Sequence, residues 1–377
     1  MTFSIESIKG REPLVDYPWR GEIDRLLSWL SDKDSHIQSF CFDLVMSASY
    51  IDATSGMEKS IERCNSITAP YNAHLGFINL CSPCYVNNEK WQYQKAVKPQ
   101  SGALGKLSSE VILRFIEKLY PQLIEVVAVG GTESADAVLK HENGTTILAE
   151  VKSAPLLTYP FLFNVPDSTL KNDHEKLIIT NSQLRMCDSA VYMHGCGTID
   201  LGTVGTHLWP FKPLVDFIID KKNISFIQKC IDNWLLAKNA YSQKNRQDQM
   251  YYLANASGSP PKIAKERDAW PNKKSISDSK TSAGMDRTDD IKKGIYQSLK
   301  IGSQVKNNSN IKTAIISNLP AYRHGEAYVE PFINMLWGLE SDLILSNGKK
   351  VLYEDKLRRA FDFIITLEKP ILREIAL

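Results

Sequence analysis

Residues 135–152, "ADAVLKHENGTTILAEVK", set two carboxylates and a lysine around an Asn-Gly turn, and the pairing across that turn decides the fold. Apolar positions alternate with polar ones on both sides, the period of two expected of half-buried strands. Side chains at i and i+2 share a face, so Glu150 and Lys152 stand together while Ala149 and Val151 oppose them. Asp136 shares its side with Val138, and Ala135, Ala137 and Leu139 take the other. Register decides whether the polar faces coincide, because a slip of one residue moves every side chain across the sheet. A two-residue Asn-Gly turn pairs 142 with 145 and sets Asp136 opposite Val151. A three-residue loop, Glu142-Asn143-Gly144 with Gly144 left-handed, pairs 141 with 145 and sets Asp136 opposite Glu150. The loop suits both turns, and chemistry at the hairpin requires the second or an equivalent bulge.

Outward from the hairpin, "LIEVVAVGG" is a β-branched run stopped by Gly130 and Gly131, a buried strand. Before it, "SGALGKLSSEVILRFIEKLYPQ" carries Leu104, Leu107, Val111, Phe115 and Leu119 on one helical stripe that Pro121 ends. Residues 20–50 and 58–64 have mixed helical patterning. Downstream, "DRTDDIKKGIYQSLKIG" is expected to form a helix and "IKTAIISNL" a buried strand; "KLIITNSQLRMCDSAVYMHG" is a nearer source for the same pair of elements. The sequence predicts an α/β protein with a mixed central sheet flanked by helices.

Two carboxylates a few ångströms apart repel and are tolerated when a proton or a cation lies between them. Magnesium suits such a site, since it prefers hard oxygen ligands, keeps several waters and binds substrate phosphate as well. Lys152 could orient or help deprotonate a water and offset charge at the phosphorus. The chemistry implied is metal-assisted phosphodiester hydrolysis.

A strand, an aspartate on the next strand and Glu-x-Lys on its hairpin partner, preceded by an amphipathic helix, resemble the PD-(D/E)xK nuclease superfamily, in particular type II restriction endonucleases. The resemblance covers about residues 104–154 and departs from the family motif in having Ala135 where the name has proline. It implies a restriction-endonuclease-like core with additional helical and recognition regions. It also implies one or two Mg2+ per site, held by Asp136, Glu150 and the carbonyl of Val151, and an added acidic residue, Glu110, from the preceding helix. Gln297 and Lys300 would then approach the site as phosphate or water contacts. The partners implied are double-stranded DNA, a second copy of the chain and a cognate DNA methyltransferase. The rival functions are a repair or junction-resolving nuclease on the same core, and a non-catalytic DNA-binding or scaffold protein whose hairpin is merely polar.

A second constellation competes. Asp342, Glu354 and Lys356 in "SDLILSNGKKVLYEDK" repeat the spacing, but the same three-residue loop would set Asp342 opposite Leu352, one step out of line. Cys81-Ser-Pro-Cys84 is half of a zinc pattern that His194 and Cys196 could complete.

The composition frames these expectations. With 377 residues the chain can hold two or three lobes. The expected division is an N-terminal helical region at 1–100 for recognition or dimerisation, a nuclease core at 101–320 with a long insertion around 155–285, and a C-terminal hairpin region at 321–377. Seven irregularly spaced cysteines do not make a secreted disulfide framework, and no apolar run approaches a membrane span, so a cytoplasmic protein is expected. The net charge of +2 hides an asymmetry: residues 241–310 hold 13 Lys or Arg against 7 Asp or Glu. That stretch is a candidate for DNA-backbone contacts, as Lys292, Lys293 and, further on, Arg323 are.

Overall fold

The computed structural model describes residues 8, 10–54, 59–63, 67, 69–75, 101–130, 135–166, 176–254, 283–286, 288–305, 310–351 and 356–368. The strands in chain order are β1 (Arg11–Glu12), β2 (Lys59–Arg63), β3 (Ala73–Leu75), β4 (Leu123–Val129), β5 (Ala137–His141), β6 (Thr146–Val151), β7 (Phe161–Phe163) and β8 (Lys176–Ile179). They continue with β9 (Asp188–Met193), β10 (Gly197–Thr203), β11 (Ile311–Ser317), β12 (Leu336–Trp337), β13 (Ile344–Ser346), β14 (Lys349–Val351), β15 (Arg358–Arg359) and β16 (Phe363–Thr366). The longer helices are α1 (Arg20–Leu30), α2 (Ser35–Thr54), α3 (Ser101–Leu119), α4 (Phe211–Ile219), α5 (Ile224–Ser242) and α6 (Thr288–Gln304).

The chain divides into two compact units. One gathers residues 1–15, 109–154 and 283–377, and the other 16–108 and 155–282. This differs from a division at 1–100, 101–320 and 321–377: the inserted stretch folds with the N-terminal helices, and the C-terminal segment completes the unit that contains the hairpin.

The first unit is built on a six-stranded mixed sheet ordered β1-β4-β5-β6-β11-β16. Strands β4, β5 and β6 form an antiparallel meander, and β11 joins β6 in parallel, with Ile315 beside Glu150 and Ile316 beside Val151. A parallel partner needs a crossover, and the one nearest in the chain to β11 is α6, whose Asp289 and Asp290 lie in the first turn, where acidic side chains suit the helix dipole. The helix buries Ile291, Gly294, Ile295, Ser298 and Ile301. Gly294 permits its close approach, since a Cβ there would stand 3.3 Å from the Ile315 side chain. Two apolar clusters lie on the sheet face that α6 covers: Val138, Leu148 and Ile301 in one, Ile295, Ile315, Phe361 and Ile364 in the other. The nearer segment 176–193 forms β8, a one-turn helix and β9, and belongs to the other sheet.

The second unit carries an antiparallel sheet ordered β10-β9-β7-β3-β2-β8. Residues 59–63, expected in helical patterning, are strand β2: Ser60, Ile61 and Glu62 pair with β8. A buried polar anchor joins its helices to the chain after the insertion point. Asp43 on α2 accepts the N–H groups of Leu156 at 3.1 Å and Leu157 at 2.9 Å, and the indole N–H of Trp234 on α5 at 2.7 Å. No helix among the described residues is long and apolar enough to cross a membrane.

Sequence periodicity placed most elements, and two burial expectations differ. Strand β4 is only half buried, and Ile124, which falls in the register shift between Leu123 and Glu125, is 68% exposed. Helix α3 is buried beyond one stripe, since Ile112, Leu113, Arg114 and Ile116 join Val111 and Phe115.

Candidate active site

The hairpin adopts the three-residue loop. His141 pairs with Thr145 through its N–H to the Thr145 carbonyl at 2.8 Å, Gly144 has φ +85°, and its N–H returns to His141 O at 2.9 Å. The Asn143 side chain accepts the Thr145 N–H at 2.9 Å, which fixes the turn locally. The ladder then runs Lys140 with Thr146 to Ala137 with Ala149, and Asp136 donates its N–H to Ala149 O at 2.9 Å.

This register brings the three polar side chains to one place. Lys152 Nζ lies 2.5 Å from Glu150 Oε1, 3.4 Å from Asp136 Oδ2 and 3.0 Å from the carbonyl of Val151. Asp136 Oδ2 also accepts the Val151 N–H at 2.9 Å, which ties the start of β5 to the end of β6. The three environments differ. Glu150 is buried at 6% exposure, whereas the Asp136 side chain is 41% exposed and that of Lys152 20%. Burial, reinforced by the Asp136 carboxylate, pushes Glu150 up to about 7 against the pull of Lys152. Burial opposes the charge on Lys152, but Asp136 and Glu150 outweigh it and hold that ammonium above its ordinary value.

The end of β6 is clamped to the end of β11. The Ala154 N–H donates to Asn318 Oδ1 at 3.0 Å, and Asn318 Nδ2 and the Gly284 N–H donate to Ala154 O at 2.8 and 2.9 Å. Gly284 has φ +50°, and a Cβ there would meet Leu319 O at 2.5 Å, so only glycine fits. Sequence reasoning missed Asn318 and Gly284; their polar links run to backbone atoms far along the chain, which leaves no periodic signal.

The other predicted residues fall as follows. Glu110 is buried on α3. Gln297 projects from α6, and its Oε1 is buried without a hydrogen-bond partner; Lys300 is half-buried on the same helix. Lys293 is exposed, and Lys292 sits over the Tyr328 ring at 5.3 Å. The backbone N–H of Arg323 donates to the buried Asp286 at 2.7 Å. The competing hairpin forms a separate two-stranded sheet with a two-residue turn, Ser346 paired with Lys349, Asn347 at φ +51° and Gly348 at φ +75°. Asp342 precedes it in a short turn and faces Arg358 at 3.2 Å, while Glu354 lies outside the described residues. Cys81, Cys84 and residues 255–282 of the basic stretch lie outside them too. His194 is buried, with Nε2 bonded to the Thr158 carbonyl at 2.9 Å.

For a divalent cation the donor set is two carboxylates and one backbone carbonyl, all turned toward one cationic atom, the ammonium of Lys152. Magnesium commonly takes one or two carboxylates and completes its shell with water and phosphate, so this set fits it. Among the described residues no group of three or more His, Cys, Asp or Glu forms a metal cage. Compared with protein families, with curated proteins and with solved structures, the chain matches none.

Proposed function

We propose that the chain is a magnesium-dependent nuclease of the PD-(D/E)xK type and, within that superfamily, a type II restriction endonuclease cutting double-stranded DNA at a short specific sequence. The observation that carries this reading is the convergence of Asp136 Oδ2, Glu150 Oε1 and Val151 O on Lys152 Nζ. The order of elements supports it: helix α3, the meander β4-β5-β6, then α6 and β11 parallel to β6. The 155–282 stretch, folded with the N-terminal helices, is large enough for a recognition role.

Asp136, Glu150 and the Val151 carbonyl would hold one or two magnesium ions, which supply Lewis-acid stabilisation of phosphoryl charge and an acidified water. Glu150, pushed up to about 7 by burial beside Asp136 when no cation is bound, would hold the ion as a carboxylate. Lys152 stays charged and can donate to that water or to a phosphoryl oxygen. Glu110 supports the acidic side of the site, while Gln297, Lys300, Lys292, Lys293 and Arg323 are the candidates for DNA contacts. Restriction enzymes of this kind pair with a methyltransferase and read palindromes as homodimers, which is the assembly we propose here.

The test is supercoiled plasmid with and without magnesium. Discrete fragments support the restriction enzyme; a smear points to a nonspecific or repair nuclease of the same core. Intact DNA that is nonetheless bound points to a non-catalytic DNA-binding protein.

A further inference from the structure

Lys152 is the last of the three converging polar residues, and the chain leaves the first unit just beyond it, after Ala154. Its ammonium folds back onto its own strand, to the Val151 carbonyl at 3.0 Å as well as to Glu150, so the place of that charge depends on how the backbone over 151–154 is held. The pairing of β6 with β11 reaches the Lys152 N–H, which donates to Ile316 O at 2.8 Å. Beyond it a side chain takes over from the ladder. Asn318, 1% exposed, accepts the Ala154 N–H at Oδ1 at 3.0 Å and donates from Nδ2 to Ala154 O at 2.8 Å. The Gly284 N–H, at 2.9 Å, fills the other lone pair of that carbonyl, and Gly284 directly follows the residue at which the chain returns to the first unit. Both polar groups of Ala154 are thus satisfied, and the point of exit is fastened to the point of return. A buried amide is costly unless paired, and pairing it with the main chain of a single residue fixes that residue in place.

We propose that Asn318 is a positioning residue of the hydrolytic centre: by holding residue 154 it fixes the backbone of Lys152 and keeps the ammonium on Glu150 and Asp136, whatever the chain beyond Ala154 does. The effect on cleavage rests on the nuclease reading above, and the effect on Lys152 does not. Asp136, Glu150 and Lys152 can touch metal, water or phosphate, whereas the amide oxygen and nitrogen of Asn318 both engage Ala154 and act on the site only through the main chain. Losing such a hold costs rate more than binding, because displacing a reacting group by about 1 Å can cost on the order of 10²-fold while the surface that meets DNA is unchanged. Two substitutions separate hydrogen bonding from packing. Asn318→Leu keeps the branched shape and removes both bonds; Asn318→Ala removes the bonds and leaves a gap as well.

The test compares the full-length wild type with both variants by limited acylation with acetic anhydride and peptide mass spectrometry, alongside steady-state cleavage of supercoiled plasmid in magnesium. Labelling of Lys152 is read against Lys140, ion-paired with Glu125 near the turn of the same hairpin, and Lys312 at the start of β11. The expected result is a severalfold rise at Lys152 alone in both variants, with kcat down on the order of 10²-fold and KM for the plasmid within about twofold. Unchanged labelling at Lys152, an equal rise at all three lysines, or a wild-type kcat in either variant overturns the proposal. If the wild type does not cut, the nuclease reading fails, and labelling alone supports or overturns the hold on Lys152. If neither variant folds, hydrogen exchange in the wild type decides: the Ala154 amide should exchange as slowly as that of Lys152, and free exchange at Ala154 overturns the proposal.

Discussion

Asp136 Oδ2 accepts the backbone N–H of Val151 at 2.9 Å, so the aspartate is held by the strand that carries Glu150 as well as by its own. The same oxygen lies 3.4 Å from Lys152 Nζ. A single carboxylate oxygen thus couples the geometry of the hairpin to the charge balance of the site.

Removing any of the three polar groups should therefore stop cleavage without dissolving the fold. Asp136→Asn, Glu150→Gln and Lys152→Ala should each reduce magnesium-dependent cleavage by about 10²–10³-fold or more, the scale for losing a group that stabilises transition-state charge. Binding of a cognate oligonucleotide in calcium or without metal should persist. Glu354→Gln and Asp342→Asn should leave the rate within about twofold, since Asp342 faces Arg358 in a different sheet. Loss of activity in Glu354→Gln with wild-type rates in the first set would move the site to the second hairpin.

The pH dependence of stability has a definite sign. A glutamate titrates near its ordinary 4.5 in the unfolded chain, but Glu150 titrates near 7 in the folded one because it is buried beside Asp136. Between those values the folded protein keeps a proton that the unfolded chain has released. The contribution of Glu150 is therefore full below about pH 4.5 and is lost as pH rises through 7. Without metal, Glu150→Gln should gain on the order of 2 kcal/mol relative to wild type between pH 5 and pH 8. Chemical denaturation of both proteins across that window measures the difference, and parallel curves would refute it.

Magnesium should reverse that trend. A cation bound to the folded protein alone stabilises it by mass action, by about 2.7 kcal/mol at a hundredfold excess over Kd. The gain should be larger at pH 8 than at pH 6, because binding requires Glu150 unprotonated. Thermal melts with magnesium and with a chelator at the two pH values give the comparison, and an equal or smaller shift at pH 8 would count against a carboxylate-bound ion.

The turn can be tested apart from the chemistry. Gly144 has φ +85° and open space where a Cβ would stand, so Gly144→Ala carries backbone strain but no clash and should cost about 1–2 kcal/mol. Gly284→Ala adds a collision with Leu319 O and should cost more. Denaturant midpoints rank the two, and the reverse order would be inconsistent with these contacts.

Asp43 offers a test in the other unit. Its carboxylate accepts three N–H groups in a fully buried setting, and truncation strands them. Asp43→Ala should cost about 3–5 kcal/mol, the range for breaking a buried charged network. A loss below about 1 kcal/mol would mean that water replaces the carboxylate.

What was legible in the sequence was what local chemistry determines. The alternation around Asn143-Gly144 and the charged residues at fixed spacing marked the hairpin, and "IKTAIISNL" is the strand that pairs with β6. The turn type was not decided by residues 142–144, which suit two registers; the paired strands and the His141–Thr145 contact resolve it. Residues 59–63 look helical locally but pair with β8, more than a hundred residues away, and tertiary pairing overrides propensity there. The two units were not readable as three consecutive blocks, because the sheet of the first is assembled from distant chain segments and local periodicity carries no record of which segments meet.

The parallel pairing of β6 with β11 has a bearing on biosynthesis. Strand β6 leaves the ribosome long before its neighbour, with residues 155–282 emerging in between, so Glu150 waits beside an open sheet edge until Ile315 arrives. The clamp from Asn318 to Ala154 closes later still. A nascent chain therefore cannot close the sheet around Glu150 until residues 311–318 have emerged, and on the proposed nuclease reading competence to cut would be deferred until then.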